Sequence, residues 1–229
     1  MFVSVKSQLQ QIQAAIDAAC QQAGREPAAV RIIAVTKYVS IERAKEALDA
    51  GIEHIGENRV EEGVEKRAAL DGEQAEWHFI GNLQSKKVKK MLGKFDYIHS
   101  LDRLSLAKEI DKRMPEGKKT KCFVQVNVSG ETTKSGISPE ETVSFIKALG
   151  EYAAIEVVGL MTMAPFVDHP EEVRPYFRKL RELKEGVEAL ALPHAPCHEL
   201  SMGMSNDYEI AVEEGATFVR IGSALVGKE

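Results

Sequence analysis

Eight short, apolar, β-branched runs alternate with helically spaced segments over about 190 residues of this chain, from Ile32 to Ile221. The runs are residues 32–37, 54–57, 77–80, 97–101, 122–128, 157–163, 198–202 and 218–221. Near-continuous apolar runs of this length are what strands buried on both faces look like. Helical spacing of apolar residues marks 41–50, 60–70, 104–113, 139–149, 173–189 and 208–214, and an amphipathic segment over 3–23 precedes the first run. Ser138-Pro139-Glu140-Glu141 supplies a cap residue, a first-turn proline and early acids at the start of one of these helices. A strand followed by a helix returns parallel to its predecessor, and eight is the number at which such a sheet closes on itself. The expected fold class is therefore α/β: a single TIM-type (β/α)8 barrel with an extra N-terminal helix, one domain over residues 1–229. The alternative is an open doubly wound sheet. That fold would normally place a glycine-rich phosphate turn after its first strand, where this chain reads Lys37-Tyr-Val-Ser40 and has no GxGxxG anywhere.

A formal net charge of -5 argues against a duplex nucleic-acid binder, which needs a positive excess. Three widely separated cysteines without CxxC spacing indicate neither a disulfide framework nor a zinc knuckle. The opening Met1-Phe-Val-Ser-Val-Lys6 lacks the form of a secretion signal, and no apolar stretch approaches the ~20 residues of a membrane span. The expectation is a cytoplasmic protein with no nucleic-acid or membrane partner.

In a barrel the functional face is the carboxyl end of the strands. The residues collected there are Lys37, Glu57, Asn58, residues 78–82, Asn127, residues 161–163, residues 201–205 and residues 220–223. Lys37 closes the first run. One reading is an amine that simply reaches solvent; the other is an amine lifted into a cavity above the sheet, where it can condense with an aldehyde. Two late segments suit a phosphate. Ser201-Met-Gly-Met-Ser205-Asn-Asp207 leads into a helical run that Ser205 or Asn206 would cap, and Arg220-Ile-Gly222-Ser223 offers close backbone approach and a further hydroxyl. The loops after strands seven and eight are the habitual phosphate site of such barrels. A Schiff-base lysine and this cradle together would hold pyridoxal 5'-phosphate by its aldehyde and phosphate ends. Arg220 would then approach the ring nitrogen and keep it unprotonated, which weakens the ring as an electron sink.

The segments Ala34-Val-Thr-Lys37, Gly56-Glu-Asn58, His78-Phe-Ile-Gly81-Asn-Leu-Gln84, Val126-Asn127-Val, Gly159-Leu-Met161-Thr-Met163, Ser201-Met-Gly-Met-Ser205-Asn-Asp207 and Val219-Arg220-Ile-Gly222 resemble the signature of the pyridoxal-phosphate homeostasis protein family. They cover nearly the whole chain in order. That family is similar to the barrel domain of alanine racemase. The resemblance implies that Lys37 is the lysine of the internal aldimine, Arg220 the partner of the pyridine nitrogen, Ser205, Gly222 and Ser223 the phosphate ligands, and Asn58 and His78 pocket-lining residues. Met161 and Ser201, at strand ends, complete the expected cofactor-binding set. One departure is visible: after Gln84-Ser85 the family usually has an asparagine and then a lysine, and here Lys86-Lys87 follows.

Blander roles account for other features. Single histidines at strand ends (His54, His78, His99, His198) are usually hydrogen-bonded structural residues, and with no HxH or HExxH pair no metal is expected. Cys197 and His198 should point to opposite faces of their strand. Lys86-Lys-Val-Lys-Lys90 reads as a solvated helix face. The loop from Gly130 to Gly136, carrying Lys134, is long enough to move over the cavity, although an exposed loop lysine is the default.

Two functions share the implied cofactor. One is a carrier that holds pyridoxal 5'-phosphate on Lys37 and serves vitamin B6 and amino-acid homeostasis without turnover, with apo-enzymes that depend on the cofactor as recipients. The other is an amino-acid racemase, which needs a base on each side of the substrate's Cα. In alanine racemases that second base is a tyrosine from an additional domain, for which the chain has no room after Arg220-Ile-Gly-Ser223; none of its five tyrosines is obviously placed opposite Lys37. The carrier, as a monomer or weak dimer, is the expected function.

Overall fold

In the computed structural model, which describes residues 4–227, eight parallel strands close into a barrel in chain order. They are β1 (Arg31–Val35), β2 (His54–Glu57), β3 (Glu76–Phe79), β4 (Tyr97–Leu101), β5 (Thr120–Gln125), β6 (Ile155–Met161), β7 (Glu199–Met204) and β8 (Phe218–Ile221). Closure is made by β1 against β8, with Ile33 opposite Arg220 on one side and His54 on the other. The TIM-type expectation holds, and the open sheet is excluded. The helices are α1 (Val5–Ala23), α2 (Ile41–Asp49), α3 (Val60–Ala69), α4 (Val88–Met91), α5 (Leu104–Arg113), α6 (Thr142–Ala148), α7 (Arg174–Glu188), α8 (Tyr208–Glu213) and α9 (Ser223–Val226). Among the described residues no helix is long and apolar enough to cross a membrane.

Several boundaries move for local reasons. β1 stops at Val35, because Thr36 N still donates to Gly56 O (3.1 Å) but Val39 N turns back to Thr36 O (3.3 Å). Lys37 thus sits in a turn and not at a strand end. The helix expected from residue 139 begins at Thr142. Ser138-Pro-Glu-Glu folds instead as a turn, in which Thr142 N donates to Pro139 O (3.3 Å) and Glu141 N to Ser138 Oγ (3.3 Å). The basic cluster spans one 3-10 turn over Ser85–Lys87 and the start of α4, with Lys87 and Lys90 both against Glu61.

Of the N-terminal segment expected over 3–23, residue 3 lies outside the described residues. Helix α1 starts with Ser4 as cap, whose Oγ accepts from Ser7 N (3.2 Å). Its buried residues Val5, Ile12, Ile16, Ala19 and Cys20 follow helical spacing and pack against α8, α9 and α2. The sequence left two placements open, across the barrel base or against another subunit. Within the chain the helix does not cross the base: it covers the flank of the barrel, and Arg25 just beyond it donates to Val212 O and Ala216 O.

Strand alternation divides the interior into two cores. Ile32, Ala34, Ile55, Phe79, Ile98, Val124, Leu200, Val219 and Ile221 face the helices and form one continuous apolar layer with them. Inside the barrel Ile33, Tyr97, Phe123, Met161 and Phe218 form a second, smaller cluster. Three histidines share that space: His78 stacks on Tyr97 (centroids 4.4 Å apart, 6° between planes), His99 on Phe123 (4.3 Å), and His54 meets the edge of Phe218. The inner core is thus aromatic and polar, unlike the aliphatic filling usual in such barrels.

Candidate functional site

A cavity of about 500 Å³ opens at the carboxyl ends of the strands. Its wall includes Lys37 and Asn58 from the turns after β1 and β2, Gly81 and Asn82 after β3, Ser205 to Asp207 after β7, and Arg220, Gly222 and Ser223 at the end of β8. Met163, Ala164, Pro165, Phe166 and Met204 supply an apolar side. A larger cleft of about 810 Å³ lies at the opposite, amino-terminal end of β3 to β5, lined by lysines and Phe95. It holds none of the cofactor-binding residues expected from the sequence, and ligands of this fold sit at the other end.

Each wall residue is held by identifiable structure. Lys37 is fixed by its turn, in which the next residue, Tyr38, takes φ 67, a left-handed conformation that a non-glycine residue adopts only under constraint. Beneath the turn is a buried ionic knot. Lys66 Nζ donates to Glu57 Oε1 (2.7 Å) and to Thr36 O (2.7 Å), and Thr36 Oγ1 donates to the same carboxylate oxygen (2.6 Å). Glu57 is fully buried and Lys66 nearly so. The knot ties β1 to β2 and α3 directly below the lysine.

Gly203 bends the end of β7. It has φ +90, a Cβ there would lie 2.5 Å from Ala211 Cβ, and the register with β8 shifts between Ser201 and Met204. The bend turns Ser205 toward α9, where its Oγ accepts from Ala224 N (3.4 Å). The expectation that Ser205 or Asn206 caps the helix over 208–214 is corrected: Asp207 takes the position before α8, and its Oδ1 accepts from Met204 N (2.5 Å). Burial raises the Asp207 carboxyl, against the opposing pull of Met204 N and Arg220.

Arg220 is 4 % exposed and aims into the barrel, donating through Nη1 to Ser201 Oγ (2.7 Å) and through Nη2 to Thr162 O (2.9 Å). Burial pulls its guanidinium down to about 10. It forms no ion pair with a described carboxylate closer than 4 Å.

Of the nine residues expected from sequence, Lys37, Asn58, Ser205, Arg220, Gly222 and Ser223 meet around this cavity. His78, Met161 and Ser201 do not line it. Met161 belongs to the inner aromatic cluster, and His78 and Ser201 are fully buried below the floor. His78 and Ser201 stop short of the ends of β3 and β7 and point to the axis, while Met161, the last residue of β6, turns inward to the aromatic cluster, so the mouth is reached by other strand ends and the loops that follow them. The loop at 130–136 is pinned to β5, with Ile137 N donating to Gln125 O (2.9 Å) and Asn127 Nδ2 to Glu131 O (2.9 Å); Lys134 pairs with Glu131 and does not line the cavity. Sequence reasoning missed Lys66, although its spacing from Val60 and Gly63 places it on the buried face of α3.

The wall thus carries an amine, a guanidinium and two hydroxyls, while its single carboxyl group, on Asp207, is biased by burial toward the neutral form. Asn58 Oδ1 is buried without a hydrogen-bond partner. Such a set suits a small anion with a flat apolar body and a donor for Asn58. Buried polar atoms without partners are rare and call for an explanation, which a ligand supplies. The pyridoxal phosphate implied by the sequence resemblance fits these residues: an amine for its aldehyde, hydroxyls for its phosphate, apolar walls for its ring. Gly81 carries the wall where the loops after β2 and β3 touch, since a Cβ there would lie 2.2 Å from Asn58 O. Gly81→Ala is expected to push Asn58 into the cavity and weaken ligand binding on the order of tenfold, the equivalent of about 1.4 kcal/mol, measured by titration with pyridoxal 5'-phosphate.

The family model for the alanine racemase N-terminal domain matches residues 7–229. The pyridoxal phosphate homeostasis protein of Aquifex aeolicus is 46 % identical over 217 residues, covering 93 % of each chain. That of Pseudomonas aeruginosa is 37 % identical over 225 residues, 98 % of this chain and 95 % of the relative. Among solved structures, PipY of Synechococcus elongatus, with PLP bound, superposes with a TM-score of 0.84 at 33 % identity, covering 97 % of this chain and all of that one.

Proposed function

This chain belongs to the family of the alanine racemase N-terminal domain and, within it, to the pyridoxal phosphate homeostasis proteins, and we propose that it binds pyridoxal 5'-phosphate in the cavity at the barrel mouth and serves intracellular supply of that cofactor and amino-acid homeostasis without turning over a substrate. The observation that carries this reading is the meeting of Lys37, Arg220, Ser205 and Ser223 around one cavity whose wall also holds an unpartnered buried amide oxygen. Lys37 would carry the aldehyde as a Schiff base, formed with loss of water. Ser205, Ser223 and the backbone at Gly222 would hold the phosphate, and Arg220 would face the ring nitrogen. When bound, the cofactor supplies an electrophilic ring able to withdraw electrons from an attached amine. Arg220 stays a donor and gives the ring nitrogen no proton, which favours storage over carbanion chemistry.

Absence of turnover is supported by the described wall, whose titratable groups are Lys37, Arg220 and Asp207. Asp207 is already committed to Met204 N. Tyr38, next to Lys37 in the chain, is 61 % exposed, with its ring centre 5.6 Å from Lys37 Nζ. A second base facing Lys37 across a substrate is not supplied from this wall, and racemisation requires one on each side. We assign the protein to the cytoplasm as a single barrel domain, acting as a monomer or weak dimer, with apo-enzymes that use the cofactor as recipients.

The test is direct. Purified protein mixed with pyridoxal 5'-phosphate is expected to turn yellow and, after borohydride reduction, to carry one adduct on the peptide containing residue 37. A protein that stays colourless and gains no mass overturns the binding assignment. The loaded protein incubated with L-alanine in deuterated water is expected to show no exchange at Cα above that of free cofactor; rapid exchange with loss of optical rotation would make it a racemase.

A further inference from the structure

Below the cavity floor a file of hydrogen-bonding side chains runs down the barrel. Arg220 Nη1 donates to Ser201 Oγ (2.7 Å), Ser201 Oγ lies 2.9 Å from His99 Nδ1, His99 Nε2 lies 2.9 Å from His78 Nδ1, and His78 Nε2 lies 3.1 Å from His54 Nδ1. Ser201, His99 and His78 are fully buried and His54 nearly so. The file begins at a buried arginine with no described carboxylate within 4 Å; Asp207, the one carboxyl of the cavity wall, acts on it from farther away and is itself biased by burial toward the neutral form. An isolated charge in such a place is costly unless oriented dipoles replace the water it has lost.

Donor and acceptor roles follow from the arginine end. A guanidinium only donates, so Ser201 Oγ must accept from it. The acceptor available to the serine hydroxyl is then His99 Nδ1, which places the His99 proton on Nε2. That proton is given to His78 Nδ1, so His78 is protonated on Nε2 and donates to His54 Nδ1. All three rings are neutral in this arrangement. Burial holds His99 and His78 well below the usual histidine range, with Arg220 adding to the effect on His99, and burial lowers His54 as well. Each imidazole turns its lone pair toward Arg220 and its N–H away.

We propose that this ordered column, Ser201–His99–His78–His54, takes the place of a counter-ion for Arg220. Its aligned dipoles stabilise the buried guanidinium and fix its direction under the cavity. Ser201, His99 and His78 are thus positioning residues acting through Arg220, and the proposal stands whatever ligand the cavity holds.

One group opposes the order. Glu76 Oε2 lies 3.3 Å from His54 Nδ1, and a proton drawn onto that nitrogen would reverse every ring behind it. The Glu76 side chain is 43 % exposed, so water screens it, whereas Arg220 acts from a buried site where the same charge has several times the effect. The arginine end therefore sets the direction. His54, Glu76 and His78 could also grip a divalent cation. A bound metal would claim the lone pairs of His54 Nδ1 and His78 Nε2, forcing the His78 proton onto Nδ1 and reversing the column.

Long-range proton–nitrogen NMR of histidine-labelled protein, with no ligand added, reads the tautomers directly. His99 and His78 are expected as neutral Nε2–H rings that do not titrate between about pH 5 and 8. An Nδ1–H ring at either position, or titration of either in that range, overturns the proposal. Ser201→Ala is expected to free His99 from its single tautomer, while Ser201→Thr, which keeps the hydroxyl, retains it; an unchanged His99 spectrum in Ser201→Ala would show that Arg220 does not set the order. Addition of Zn²⁺ is expected to leave these signals in place. Stoichiometric shifts of His54 and His78 that disappear in His54→Ala would identify a metal site and overturn the column. The wild-type spectra decide the matter even if a variant fails to fold.

Discussion

Lys37→Ala protein, mixed with pyridoxal 5'-phosphate and then reduced with borohydride, is expected to gain no adduct and show no yellow band, while wild-type protein gains one. The effect is all or none because among the described residues Lys37 is the one amine on the cavity wall. Phosphate recognition should survive in part, since Ser205, Ser223 and Arg220 are untouched, so weak non-covalent binding is expected. Lys37→Arg separates the two contributions: it restores the positive charge but offers a guanidinium that does not condense with an aldehyde under these conditions. Binding that recovers in Lys37→Arg without colour would show that charge holds the ligand and the amine captures it. An adduct in Lys37→Ala at full yield on another lysine, mapped by mass spectrometry, would remove Lys37 from its proposed role.

Lys66→Met is expected to be among the most damaging substitutions away from the cavity wall. It strands the Glu57 carboxylate, which is 0 % exposed and already has one oxygen, Oε2, without a partner. Removing one member of a buried ion pair costs about 3–5 kcal/mol. For a chain of this size that corresponds to a fall in Tm of roughly 10 °C, measured by thermal unfolding followed by circular dichroism. The double variant Lys66→Met with Glu57→Leu should recover much of this loss, because apolar groups of similar volume often replace such a pair at little cost. The double variant should still bind pyridoxal 5'-phosphate more weakly than wild type, since Thr36 O loses the ammonium that steadies the turn carrying Lys37. A single variant as stable as wild type would show that the pair contributes nothing to the fold.

Much of the cavity wall was legible in the sequence. Lys37, Asn58, Ser205, Arg220, Gly222 and Ser223 stand at or just after strand ends, and strand ends are marked locally by where an apolar run stops. Depth was less legible. Met161, His78 and Ser201 look like mouth residues in the sequence, yet sit inside the barrel: His78 and Ser201 lie before the ends of β3 and β7, and Met161 ends β6 with its side chain in the inner cluster, because a run buried on both faces does not announce where its residues stand along the barrel axis. Lys66 was missed because a lysine on an amphipathic helix is ordinarily its solvated face, and only the approach of Glu57 from β2 makes burial tolerable.

The sequence alone determined the number of strands, their alternation with helices and the chemical inventory at their carboxyl ends, since these depend on periodicity and short-range order along the chain. Closure of β1 on β8 decided the rest. It selected which alternate residues face the axis, set three histidines in line beneath Arg220, laid α1 on the flank and turned Ser205 from α8 toward α9. Those outcomes depend on register between strands far apart in the chain, and no local pattern of residues encodes a distance that exists only once the ring is shut.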